Sequence, residues 1–217
     1  MNGNPPQIRN AVRLLMTATF ITLVVIVAKP IAAQTKPSLV ITAITKHVAD
    51  KRWNDGRIGF GLQQILSELM YDSGEFELKE SSQELVDQRK AVVSALWSSD
   101  ESRNDTEDSI LTTESNVEYV LYGKVVYFGA PKSSFSFGPV KSNKKTYKIK
   151  VELVLKHQTT GEELVAEGEG SSTTTISSAL FQFYENKLEW DKTNIGNATK
   201  DALAQAVSTL LREFSKK

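Results

Sequence analysis

YKIKVELVLKHQTTGEELVAEGEG, residues 147–170, is the stretch whose reading decides the fold. Tyr147, Ile149, Val151, Leu153 and Leu155 alternate with Lys148, Lys150, Glu152, Val154 and Lys156. Side chains on a strand point to opposite faces in turn, so this pattern predicts a strand with one dry and one wet face. Thr159-Thr160-Gly161-Glu162 reads as a hairpin turn, glycine offering the positive φ that such turns use. Leu164 to Gly170 then returns as the antiparallel partner.

Upstream, VEYVLYGKVVYF (117–128) is apolar at both parities, as a strand inside a sheet must be. Downstream, Ala198, Ala202, Ala206, Leu210 and Phe214, flanked by Leu203, Val207 and Leu211, recur at helical spacing. Asn197 is the expected cap of this last helix, and Arg212, Lys216 and Lys217 suit its carboxyl end. Earlier in the chain, SLVITAIT (38–45) reads as a strand, and a polar loop with His47, Asp50, Arg52 and Trp53 follows it. Ile58, Leu62, Ile65, Leu66, Leu69 and Met70 predict a helix that stops at Gly74. Phe76 and Leu78 mark a short strand, and Ser81-x-x-Glu84 a capping box opening a second helix with Leu85, Val92 and Leu96 on one face. The expected fold class is therefore α/β: strand, helix, strand, helix, an antiparallel meander, then a carboxyl-terminal helix, giving a mixed sheet with helices packed on it.

Composition narrows the function. The 217 residues include no cysteine and two histidines, with 26 basic and 26 acidic side chains. Disulfide scaffolds, thiolate metal sites, cysteine nucleophiles and acylation at a cysteine all need a sulfur this sequence lacks. Neutral overall charge gives no general pull toward nucleic acid, and none is expected as a partner. The balance averages two unlike parts. Residues 1–13 carry Arg9 and Arg13 and no acid, Leu14 to Ala28 is an uncharged, largely apolar run, and Ile31-Ala32-Ala33 precedes Gln34. That is the layout of a secretory signal peptide over residues 1–33, cleaved after Ala33. Its removal takes three basic residues and no acid, leaving residues 34–217 as one domain with 23 basic and 26 acidic groups.

Motifs with catalytic chemistry are few. Gly56-x-x-Gly59-x-Gly61 precedes helical spacing but matches neither the dinucleotide fingerprint nor the P-loop, and reads as a tight entry into a helix. His47 and Asp50 are too few to hold a metal, and His157 lies far off beside the hairpin turn. No G-x-S-x-G elbow occurs. Lys141, Lys144, Lys145, Lys148 and Lys150 cluster locally and read as a solvated hairpin. The acidic run Ser98 to Ser109 reads as a surface loop. No catalytic residue, metal ligand or cofactor is expected.

Three stretches together resemble the curli-assembly (CsgG) family: GLQQILSELMYDSGEFELKESSQELVDQRKAV (61–92), VEYVLYGKVVYFG (117–129) and the hairpin 147–170. The resemblance implies a periplasmic domain that assembles with copies of itself into a ring. In channel-forming members of that family each subunit adds two hairpins to an outer-membrane barrel that exports fibre subunits. Residues 128–146, with Phe135 and Phe137, and 171–197, with Phe181, Phe183, Tyr184 and Trp190, would be those hairpins and their interface aromatics. Trp53 and Asn54 occupy the loop that narrows the pore in the family. The resemblance also admits a soluble periplasmic adaptor on the same fold, binding an envelope enzyme or lipoprotein. The family's lipidated cysteine has no counterpart here. Intact-mass measurement on exported protein is expected to give a chain that begins at Gln34; a retained Met1 would refute cleavage.

Overall fold

The computed structural model describes residues 35–98, 110–112, 114, 116–129, 144–175, 181–185 and 187–217. The chain divides into Met1–Thr35 and the unit Lys36–Lys217, and the description below concerns the second. Phe135 and Phe137, the acidic run from residue 99 to 109 and the expected cleavage site lie outside the described residues.

Five strands form one mixed sheet: β1 (Ser38–Lys46), β2 (Glu77–Leu78), β3 (Tyr119–Gly129), β4 (Lys144–His157) and β5 (Glu163–Thr175), in the order β2-β1-β3-β4-β5. β1 runs parallel to both β2 and β3, while β3, β4 and β5 form an antiparallel meander. The expected α/β architecture is the observed one, and the doubly apolar strand takes the central place in the sheet. Three helices complete it: α1 (Gly56–Ser73), α2 (Gln83–Ser98) and α3 (Asn194–Phe214). A small hairpin, β6 (Gln182–Tyr184) with β7 (Lys187–Glu189), precedes α3. No described helix is long and apolar enough to cross a membrane.

The hairpin 147–170 folds as its alternation requires. Ile149, Val151 and Leu153 are fully buried, while Lys148, Lys150 and Glu152 stand on the other face. That face is tied by cross-strand ion pairs, Lys124 to Glu152 at 2.7 Å and Lys148 to Glu169 at 2.5 Å. At the turn, the His157 ring Nδ1 accepts from the amides of Thr159 and Thr160, both at 3.2 Å. His157 is thus a turn-capping residue.

α3 lies directly on β5. A Cβ built on Gly168 would sit 1.9 Å from the Ala202 carbonyl oxygen, and one on Gly170 would sit 1.8 Å from that of Ala198. Ala198, Ala202 and Ala206 are buried on the facing side of the helix. Small residues on both sides let the helix backbone rest on the strand backbone, the closest approach two elements can make. α1 packs against both β1 and α3 with Leu62, Leu66 and Met70 fully buried, and α2 closes over α1 and β1.

Three helix ends differ in detail from the sequence reading. α3 starts at Asn194, capped by the Thr193 hydroxyl, which accepts from Gly196 N at 2.9 Å; Asn197 is inside the helix. α2 is entered through Ser82, whose hydroxyl accepts from Leu85 N at 3.4 Å, because the Ser81 hydroxyl is taken by Arg89 and Glu114. The glycines of 56–61 lie inside α1, and a Cβ on Gly59 would meet the Trp97 indole at 2.4 Å. Gly56 and Gly59 serve contact with α2 and Gly61 contact with Leu188 and Trp190, and the turn into the helix is made by Asp55 instead.

Gly168→Ala is expected to lose about 3 kcal/mol or more of stability, since the intruding methyl meets backbone that cannot move aside. Ser171→Ala, on the exposed side of the same strand, should stay within about 0.5 kcal/mol. Urea titration of both variants checks the pair.

Candidate functional site

Two regions concentrate side chains beyond ordinary core packing. The first is an aromatic end of the sheet. Trp53 is fully buried there, with ring centroids 6.2 Å from Trp97, 5.3 Å from Phe128 and 5.0 Å from Phe181. Phe181 also meets Trp190 edge-on at 5.6 Å, and Phe128 stacks on Tyr147 at 5.1 Å. The loop ADKRWNDGR (49–57) is fixed against this cluster by the same device used twice. Asp50 accepts from Arg52 N and pairs with its guanidinium at 2.6 Å, and Asp55 does the same to Arg57 at 2.7 Å. Each aspartate thereby caps a helix start, the first a single 3-10 turn at Lys51–Trp53, the second α1. Each arginine lies on aromatic rings, Arg52 5.5 Å from Phe128 and 5.6 Å from Tyr147, and Arg57 3.9 Å from Phe183. The arginine bonds hold both carboxyls below the usual carboxylate range, so the two clamps stay ionised.

The structure therefore brings Trp53, Phe181, Phe183 and Trp190 into one cluster as internal packing and leaves Tyr184 exposed. Asn54, next to them, accepts through Oδ1 from the Lys46 ammonium. The expected membrane hairpin at 171–197 is, in its described residues, the end of β5, the β6–β7 hairpin, a 3-10 turn and the start of α3. β6 and β7 have three residues each, where a membrane-crossing strand takes about 9–11.

The second region is a groove beside β1. β2 pairs with β1 only at Ser38 and Leu39, so from Val40 onward β1 has no strand on that side among the described residues. A cavity of about 560 Å³ opens there between β1, α1 and α2. Phe60, Val86 and Val93 give it apolar walls, and Lys79 and Lys90 stand exposed around it. The strand edge is capped by side chains: Gln63 Nε2 donates to the Ile41 carbonyl at 2.9 Å, and Trp97 Nε1 to that of Ile44 at 2.8 Å. An uncapped buried carbonyl is costly, which is why helix residues reach across to these two.

Arg89 forms part of the groove wall and is 4% exposed. Its guanidinium binds Glu114 at 3.0 Å, the Ser81 hydroxyl at 2.5 Å and the Ile110 carbonyl at 3.1 Å. Ser81 in turn donates to Glu114 at 2.6 Å. This network pins the segment around residues 110–114 to α2, and the Gln158 side chain holds it from the hairpin side through Thr112 O and Glu114 N. Sequence reading passed over Arg89, although its place was marked: Leu85, Arg89, Val93 and Leu96 fall on one helical stripe, and a lone cation on an apolar stripe needs a buried partner. Among the described residues no group of three His, Asp or Glu side chains could hold a metal.

No family model matches the chain, and no curated protein is similar to it. Solved structures align with most of its length at low identity. The PelC dodecamer from Paraburkholderia phytofirmans is 12% identical with a TM-score of 0.40, over 83% of this chain and 91% of that one. Lipoprotein GNA1162 from Neisseria meningitidis is 14% identical with a TM-score of 0.38, over 83% and 99%. Protein XCC0632 from Xanthomonas campestris, of family DUF330, is 12% identical with a TM-score of 0.41, over 87% and 93%. Scores below 0.5 mark a loose backbone likeness and assign no function. None of the three is a curli-assembly protein, so the family resemblance drawn from the sequence is corrected. Its motifs have a plainer origin: an alternating strand, a Thr-Gly-Glu turn and a capped amphipathic helix are what any wet-faced hairpin and covering helix require.

Glu114→Ala is expected to destabilise the fold by about 3–5 kcal/mol, since it strands the buried Arg89 charge. Glu114→Leu combined with Arg89→Met should be far milder than the single change, and thermal melts of the three proteins check this.

Proposed function

We propose that this protein is a non-catalytic adaptor of the cell envelope, which holds another envelope protein in the groove beside β1. The groove carries the reading. It combines a strand edge without a strand neighbour among the described residues, apolar walls, exposed lysines and a cavity of about 560 Å³. The signal-peptide layout of residues 1–33 supports a place outside the cytoplasm. The channel reading rested on the family resemblance and lapses with it.

On the opposite edge of the sheet, Gln205 Oε1 accepts from Glu169 N at 2.6 Å and Asn194 Nδ2 donates to Thr173 O at 3.1 Å, so α3 caps two positions of β5.

A photo-cross-linking side chain placed at Val86, in the groove, is expected to give a discrete adduct with one envelope protein in cells. The same group at exposed Tyr71 should give none. No adduct, equal adducts at both positions, or an adduct joining two copies of this chain would refute the adaptor reading.

A further inference from the structure

The hairpin turn that His157 caps is joined, one residue along, to the wall of the groove. We infer that His157 is a proton-operated latch. With the ring neutral, the turn 157–162 is closed and Gln158 holds the segment around residues 110–114 in place; with the ring protonated, both are released. This goes beyond the adaptor reading and holds whatever the groove takes.

The latch stands on the geometry at one nitrogen. The amides of Thr159 and Thr160 both donate to His157 Nδ1, each at 3.2 Å. Two N–H donors need a lone pair there, so the capping ring is neutral and carries its hydrogen on Nε2. A proton on Nδ1 takes up that lone pair and turns both amides away. The charged ring then has other partners. Glu118 Oε1 lies 4.0 Å from Nε2. Glu162, at the far end of the turn, is bonded by the exposed Lys217 ammonium, which together with the nearby ring keeps its carboxyl below the usual carboxylate range. Tyr119 packs edge-on to the ring at 4.9 Å, and burial holds its hydroxyl above the ordinary phenol range, so it stays neutral. His157 therefore has two arrangements, a neutral ring capping the turn and a charged ring facing two carboxylates.

The movement reaches the groove through the next residue. Gln158 N donates to the Glu118 carbonyl at 2.9 Å. Its side chain donates to Thr112 O at 3.3 Å and accepts from Glu114 N at 3.4 Å. Both side-chain bonds are long, so a shift of the turn breaks them first. Glu114 is the buried partner of Arg89, and Arg89 lines the cavity beside β1. Loosening of the turn is thereby felt at the groove wall. Imidazole is the side chain that ordinarily changes charge between about pH 5 and 8, a range that an exported protein meets directly.

The test follows the isotope-labelled protein by NMR from about pH 8 to about pH 5. The His157 ring and the amides of Thr159, Thr160 and Glu114 are expected to titrate with one midpoint. Across it the Glu114 amide should lose about fivefold in hydrogen-exchange protection, the worth of one hydrogen bond. His157→Asn supplies a side-chain oxygen that caps the same turn and takes no proton in this range, so the three amides should keep their neutral-form positions throughout. His157→Ala removes the acceptor and should give the acid-form positions at every pH. His47→Gln, at the other and exposed histidine, should leave the titration unchanged. The inference is overturned if the His157 ring does not titrate in this range, if Glu114 protection stays constant while the ring titrates, or if the His157→Asn protein keeps the pH dependence.

Discussion

Everything in this domain is arranged around the direct seating of α3 on β5. Two glycines on the strand and a row of alanines on the helix bring the two backbones together without side chains between them. A helix so close to the sheet leaves room for α1 beside it, and α1 then fills the remaining dry face over β1 with its leucines. The same seating lets Gln205 and Asn194 reach β5 and bond Glu169 N and Thr173 O. Bulkier residues at these positions would lift the helix, open the core and expose a long strand edge together. One constraint thus governs both packing and the capping of β5.

Much of the fold could be read in advance because it follows from periodicity. The alternation of 147–155 determined which face of β4 would be dry, and the doubly apolar run at 117–128 is what a central strand must be. The helix from Ile58 and the last helix were visible in the spacing of their apolar residues. The details that escaped depend on contacts across long sequence distances. Ser81 has the local signature of a cap, yet Arg89 and Glu114 claim its hydroxyl, and Ser82 takes the role. Asn197 has the chemistry of a cap, yet Thr193 comes first in the turn that leaves the β6–β7 hairpin. Gly56, Gly59 and Gly61 resembled a loop motif because glycine spacing alone does not say what approaches it, and Trp97 and Leu188 do.

The candidate site was less legible still. Trp53 was expected in a pore-narrowing loop and Phe181, Phe183 and Trp190 on a membrane hairpin, and the structure gathers all four into interior packing under two arginine clamps. The groove could not be read from spacing because it arises from what β2 lacks. Its two-residue length depends on where the chain turns toward α2, and no alternation pattern registers a strand that stops early. Arg89 was the one signal available, a charge on an otherwise apolar stripe.

The order in which the chain is made gives the seating of α3 a further meaning. The strand that receives the helix ends at Thr175, while the helix itself runs from Asn194 to Phe214. At a synthesis rate of about 5–20 residues per second, the meander exists for several seconds with its dry face uncovered. Ile149, Val151 and Leu153 on that face are fully buried in the complete fold, where the last helix packs against the meander. Vectorial synthesis therefore leaves the dry face of the meander without its covering helix until residues 194–214 have been made.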